Sequence, residues 1–127
     1  MTIERLIDSV IVIDHLNGVS QATRFLLELN PAQTAISVIT RAEILSGLDD
    51  EVRPDVRAFL DEYHLFIIDR SIADLAAELR RKFRWKLPDA FQAALAEHHH
   101  VRLTTRNTKD FSPNKHKFVE VPYQIRS

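Results

Sequence analysis

Three carboxylates in this chain of 127 residues sit where regular structure changes: Asp8 after the apolar pair Leu6–Ile7, Glu43 within SVITRAEIL, and Asp89 at the head of DAFQAAL. A fourth polar site, Asn107 with Asp110, flanks a turn in LTTRNTKDF. An ionised side chain inside an apolar segment costs several kcal/mol unless something compensates it. Asp8, between Ile7 and Ser9, is the clearest case. If a fold brings Asp8, Glu43 and Asp89 within a few ångströms, either their pKa values rise or a cation neutralises them. Magnesium suits such a site, since it takes oxygen ligands and keeps several waters. An ion of this kind lowers the pKa of a bound water and holds the oxygens of a phosphate, which is the chemistry of phosphodiester hydrolysis.

Each residue also has a structural explanation. Thr40 and Glu43 fit a T-x-x-E capping box. Pro88 suits a first helical position and places Asp89 in the favourable N-terminal turn. Asn107 with Asp110 reads as an N-cap and its third residue, and Asp8 as a cap for a helix beginning near Val10. Asp14, within VIVIDHL, is expected to point outward as a solvated or surface-paired residue.

The elements that must position these groups alternate. Short apolar runs suited to buried parallel strands occur at Leu6 to Ile7, Ala35 to Ile39, Leu65 to Ile68 and Val101 to Leu103, with a weaker one at Phe118 to Val121. Between them VIVIDHL, ATRFLLEL, RAEILSGL, VRAFLDEY, IADLAAELRRKF and DAFQAALAEH repeat apolar residues at three and four, as helices do. The expectation is an α/β fold in three layers, a central, mostly parallel sheet flanked by helices. In such sheets ligands collect beyond the carboxyl ends of the strands, where the polar residues above are found.

Length and the absence of any linker or repeat indicate a single domain over residues 1–127. Without cysteine, disulfides and thiolate zinc sites are excluded. The N-terminus has no export pattern and no stretch approaches the roughly 20 apolar residues of a membrane span, so a cytoplasmic location is the default expectation. Net charge is only -1, but residues 1–79 carry 6 Lys/Arg against 14 Asp/Glu, and residues 80–127 carry 11 against 4. That division can set a basic track beside an acidic site.

LIDSVIVIDHLNG, SVITRAEILSG, LPDAFQAALAEHH and LTTRNTKDF, in this order, resemble the four motif blocks of PIN-domain ribonucleases, particularly toxins of the bacterial VapC kind. The resemblance runs from about residue 4 to residue 120. It implies a PIN-like fold in which Asp8, Glu43 and Asp89 hold Mg²⁺ or Mn²⁺, with Asn107 or Asp110 as a possible further ligand. It implies endonucleolytic hydrolysis of RNA by cation-activated water, and it aligns Ser9 and Thr105 with supporting hydroxyls. Two positions depart from the family pattern: Asn107 stands where many members have Asp, and Val10 where many have Asn. Arg80, Arg81, Lys82, Arg84 and Lys86, with Arg106 and Lys109, are candidates for holding the RNA backbone, because phosphate contacts supply most sequence-independent affinity. A solvated helix end explains RRKFRWK equally well.

The resemblance further implies a small cognate antitoxin of the VapB type, whose helical tail brings an arginine toward the acids, and a homodimer. The apolar faces of ATRFLLEL and VRAFLDEY could line an antitoxin groove or simply pack in the core. Trp85 could stack on a base, although packing is the commoner role for such an aromatic. Three adjacent histidines, His98 to His100, point about 100° apart on a helix and cannot all converge on one ion. They read as a helix terminus favoured by its dipole. The competing account is a catalytically inactive binding module on the same fold, its acids serving only as caps. A receiver-like phosphoryl-transfer pocket lacks its required Asp–Lys pairing.

Overall fold

A computed structural model describes residues 2–125. Five strands, β1 (Arg5–Ile7), β2 (Thr34–Ser37), β3 (His64–Phe66), β4 (Arg102–Thr104) and β5 (Val119–Glu120), form one parallel sheet in the order β3-β2-β1-β4-β5. Six helices flank it: α1 (Ser9–Leu16), α2 (Ser20–Glu28), α3 (Val38–Ser46), α4 (Arg53–Leu60), α5 (Arg70–Phe83) and α6 (Leu87–His99).

Alternation along the strands creates the layers. Leu6 and Ala35 face a core shared with α5 and α6, where Ile72, Ala76, Ala94 and Leu95 pack, while their neighbours Ile7 and Ile36 face a second core with Ile11, Leu26, Ile44 and Leu60. Successive strand side chains point to opposite faces, so the middle positions of a strand covered on both sides are apolar, whereas the strand ends carry buried polar residues, Thr34 and Ser37 in β2 and Thr104 in β4. This is why the strands read as continuous apolar runs. ATRFLLEL and VRAFLDEY supply Leu26 and Leu60 to the second core, while Leu27 is left exposed.

The expected run Ala35 to Ile39 spans a boundary. The strand stops at Ser37, whose hydroxyl caps α3 by accepting from the Thr40 amide at 3.0 Å. Val38 and Ile39 therefore begin a helix, and the T-x-x-E capping box is absent: Glu43 lies in the middle of α3. Similarly, Asn107 and Asp110 do not open a helix. The Asn107 Oδ1 accepts from the Asp110 amide across a turn at 3.5 Å.

Sheet order locates the site. From β1 the chain moves to β2 and β3 on one side, then returns to lay β4 and β5 on the other, so the direction reverses between β1 and β4. A crevice opens at the carboxyl ends of strands where order reverses in this way. Asp8 follows β1, Thr105 follows β4, and the Asp8 amide donates to the Thr104 carbonyl at 2.9 Å.

Candidate functional site

At that crevice a cavity of about 420 Å³ is lined by Asp8, Glu43, Asp89 and Asn107, with Ser9, Val10, Gln92, Arg106 and Lys109 among its other walls. The three acids reach it from three elements: the end of β1, the middle of α3 and the first turn of α6. Asp8 is buried, Asp89 is half-buried and Glu43 stands exposed at the rim.

Asp8 is held on both oxygens. Its Oδ1 accepts from the Ser9 amide at 2.9 Å and from Gln92 Nε2 at 3.0 Å, and its Oδ2 accepts from the Thr105 hydroxyl at 2.8 Å. Three donors compensate the loss of water around a buried carboxylate. Thr105 is fully buried and also accepts from the Asn107 amide at 3.0 Å, so one hydroxyl ties the first acid to the fourth motif block. Ser9 contributes its backbone amide to Asp8 and lines the cavity.

The other two acids feel crowding. Burial pushes the Asp89 carboxyl up to about 6, and the charges of Asp8, Asp110 and Glu43 push the same way against the opposing effect of Lys86. Glu43 is also raised, first by partial burial and then by Asp8. Both shifts mean that burial first, and neighbouring negative charge second, disfavour the ionised acids, a cost that nearby positive charge would offset. Arg106 lines the cavity yet does not supply it, because its guanidinium is committed to Asp14 through Nε and Nη2. Asp14, expected to be solvated or surface-paired, is paired but not at the surface: it is buried, bound by Arg106, and accepts from the Tyr123 hydroxyl at 2.8 Å.

The donor chemistry suits a hard divalent cation. Among the described residues, however, no three His, Cys, Asp or Glu side chains already form a cage for a metal ion. Magnesium does not need one, since it is commonly held by one or two carboxylates and retains waters. Gln92, one of the residues lining this cavity, also carries a buried side-chain oxygen, Oε1, without a hydrogen-bond partner.

The remaining expected residues divide between this cavity and its surroundings. Asn107 lines the cavity, whereas Asp110 sits behind it, accepting from Asn107 Nδ2 at 3.1 Å. Asp110 instead lines an adjacent cleft of about 480 Å³ with Phe83, Arg84, Lys109, Lys115 and His116, so Lys109 borders both spaces. Arg80, Arg81 and Lys82 occupy the exposed last turn of α5, and Lys86 is the N-cap residue of α6. Trp85 is buried and its indole N–H donates to the Asp110 carbonyl at 3.0 Å, which removes it as a stacking platform and pins the turn below the acids. His98 and His99 close α6, and His99 stacks on Phe66 with ring centres 3.8 Å apart.

Gln92 went unrecognised in the sequence. The available signal was a lone amide one turn beyond Asp89 in a helix whose other buried residues are Ala90, Ala93, Ala94, Leu95 and Ala96.

Residues 5–115 match the model of the PIN domain family. The chain is 32% identical to Ribonuclease VapC19 of Mycobacterium tuberculosis over 82 residues, 63% of this chain and slightly less than two thirds (66%) of that protein. It is 30% identical to Ribonuclease VapC10 of the same organism over 112 residues, 84% of each chain. A solved toxin-antitoxin complex from Klebsiella pneumoniae contains a chain of similar structure, with a TM-score of 0.87 and 36% identity, covering 96% of this chain and 100% of that one.

Proposed function

Because this chain belongs to the PIN domain family, we propose that it is a divalent-cation-dependent endoribonuclease, the toxin of a toxin-antitoxin pair. The observation that carries this reading is the cavity lined by Asp8, Glu43 and Asp89 in which two of the acids are pushed toward protonation. The ribonuclease names of the relatives and the antitoxin-bound structural neighbour support the substrate and the partner. A homodimer and Mg²⁺ or Mn²⁺ as the cation belong to the same proposal.

Asp8, Glu43 and Asp89 would hold the cation, with Asn107 offering its amide oxygen beside them. When bound, the ion supplies charge neutralisation at the phosphate and a lowered pKa for water. The protein's own contribution is preorganisation. Asp8 is fixed by three donors before any ligand arrives, so little reorganisation is needed at the reacting phosphate. Lys109, which borders both cavities, would hold an RNA phosphate, and Arg84 and Lys115, which line the adjacent cleft, would extend that contact along the strand.

The rival account, in which the acids serve only as helix caps, is supported at Asp8, which caps α1. It does not extend to Glu43, and at Asp89 it is limited to the first-turn position that the sequence predicts. Glu43 is interior to α3, and α6 has no side-chain cap, Asp89 lying in its first turn with a raised pKa.

The test is cleavage of single-stranded and structured RNA with Mg²⁺, with EDTA, and by Asp89→Asn. Cleavage only in the first condition supports the proposal. Equal cleavage in all three, or none in any, refutes it.

A further inference from the structure

Gln92 joins all three acid-bearing elements with one side chain. Its Nε2 lies 3.0 Å from Asp8 Oδ1, at the end of β1, and 2.9 Å from Thr40 Oγ1, one turn before Glu43 on α3. Gln92 itself stands one turn after Asp89 on α6. It is 2% exposed, and the carboxylate of Asp8 can only accept, so the amide nitrogen must face it. We propose that Gln92 is a positioning residue for the cation site, setting Asp8 against the helices that carry Glu43 and Asp89. This rests on the metal-site reading above.

Packing alone does not account for an amide here. The remaining buried positions of α6 are alanine and leucine, and an aliphatic side chain would fill the same space without a polar group to satisfy. The amide is moreover incompletely satisfied: among the described residues, Gln92 Oε1 is the buried side-chain oxygen left without a hydrogen-bond partner. A polar group retained at such a cost points to a role in the site it lines. Thr40 completes the attachment. Its hydroxyl lies 3.3 Å from Ser37 Oγ, the hydroxyl that caps α3, so the amide is anchored to the start of the helix that carries Glu43.

The arrangement gives the amide nitrogen of Gln92 a defined task. Nε2 holds Asp8 Oδ1 while Thr105 holds Oδ2, which fixes the carboxylate plane. Residues that orient metal ligands in this manner commonly alter metal affinity ten- to a hundredfold when replaced.

The experiment is calorimetric titration of the full chain with Mn²⁺ alone, at pH 7.5, comparing the unsubstituted protein with Gln92→Met, Thr40→Val and the double variant, with Tm measured for each. Gln92→Met should weaken Mn²⁺ binding at least tenfold while Tm falls little, and adding Thr40→Val should cause little further loss, because both changes cut the same connection. Unchanged Mn²⁺ affinity in Gln92→Met overturns the positioning role while leaving the metal site standing. Failure of the unsubstituted protein to bind Mn²⁺ overturns both. If Gln92→Met does not fold, Thr40→Val carries the test alone: a weakened affinity supports the proposal and an unchanged one refutes it.

Discussion

Arg106 clasps Asp14 with two nitrogens, Nη2 donating to Oδ1 at 2.8 Å and Nε donating to Oδ2, across 92 residues of sequence. This pair leaves the neighbouring acids without an available guanidinium, although Arg106 lines their cavity. It also fastens the turn that carries Asn107 to the helix that follows Asp8. Arg106→Ala would strand a buried carboxylate and should destabilise the fold by about 2 kcal/mol, less than a fully buried pair costs because the arginine is partly exposed. Urea denaturation at pH 7 checks this. Arg106 and Tyr123 hold Asp14 below its ordinary value of 3.8 against the effect of burial. Its contribution is therefore complete above about pH 4 and is lost as pH falls through the lower folded value, so the deficit of Arg106→Ala should shrink in strong acid.

Asp89 behaves in the opposite direction. Its carboxyl, raised from 3.8 to about 6, favours the protonated form in the folded state. The associated stability is full below about pH 4 and disappears as pH rises through 6. Asp89→Asn should accordingly stabilise the cation-free protein at pH 7.5, by about 1 kcal/mol after discounting for partial exposure, and change little at pH 4. Thermal melts at the two pH values measure it. Mg²⁺ should raise the Tm of the unsubstituted protein at pH 7.5, EDTA should reverse the rise, and Asp89→Asn should respond weakly.

The adjacent cleft makes a separate prediction about RNA. With EDTA present to prevent turnover, Lys109→Ala and Lys115→Ala should each weaken binding of a short single-stranded RNA, measured by fluorescence anisotropy. Each lost phosphate contact should lower the slope of log affinity against log salt by about 0.7. Variants that bind RNA with an unchanged salt slope would remove the cleft from the track.

The sheet was legible because buried strands must be apolar on both faces, which exposes them as short runs such as Leu6–Ile7 and Val101–Leu103. Boundaries were less so. Val38 and Ile39 are as apolar as the strand before them, and only the Ser37 hydroxyl turns the chain into α3. Asp8, Glu43 and Asp89 could be singled out by their positions at junctions, but the fates of Asp14 and Arg106 depended on a contact 92 residues apart that no local pattern encodes. Gln92 was hidden for a different reason: α6 is buried nearly all round over this stretch, and an apolar run of that kind does not say why one member is polar.

The central claim is that Asp8, Glu43 and Asp89 share a divalent cation, and anomalous diffraction from crystals equilibrated with Mn²⁺ tests it most directly. A manganese peak in the cavity between these side chains, absent from crystals of Asp89→Asn, is the predicted result. A cavity free of manganese in well-diffracting crystals of the unsubstituted protein, or a peak seated elsewhere on the molecule, would contradict it.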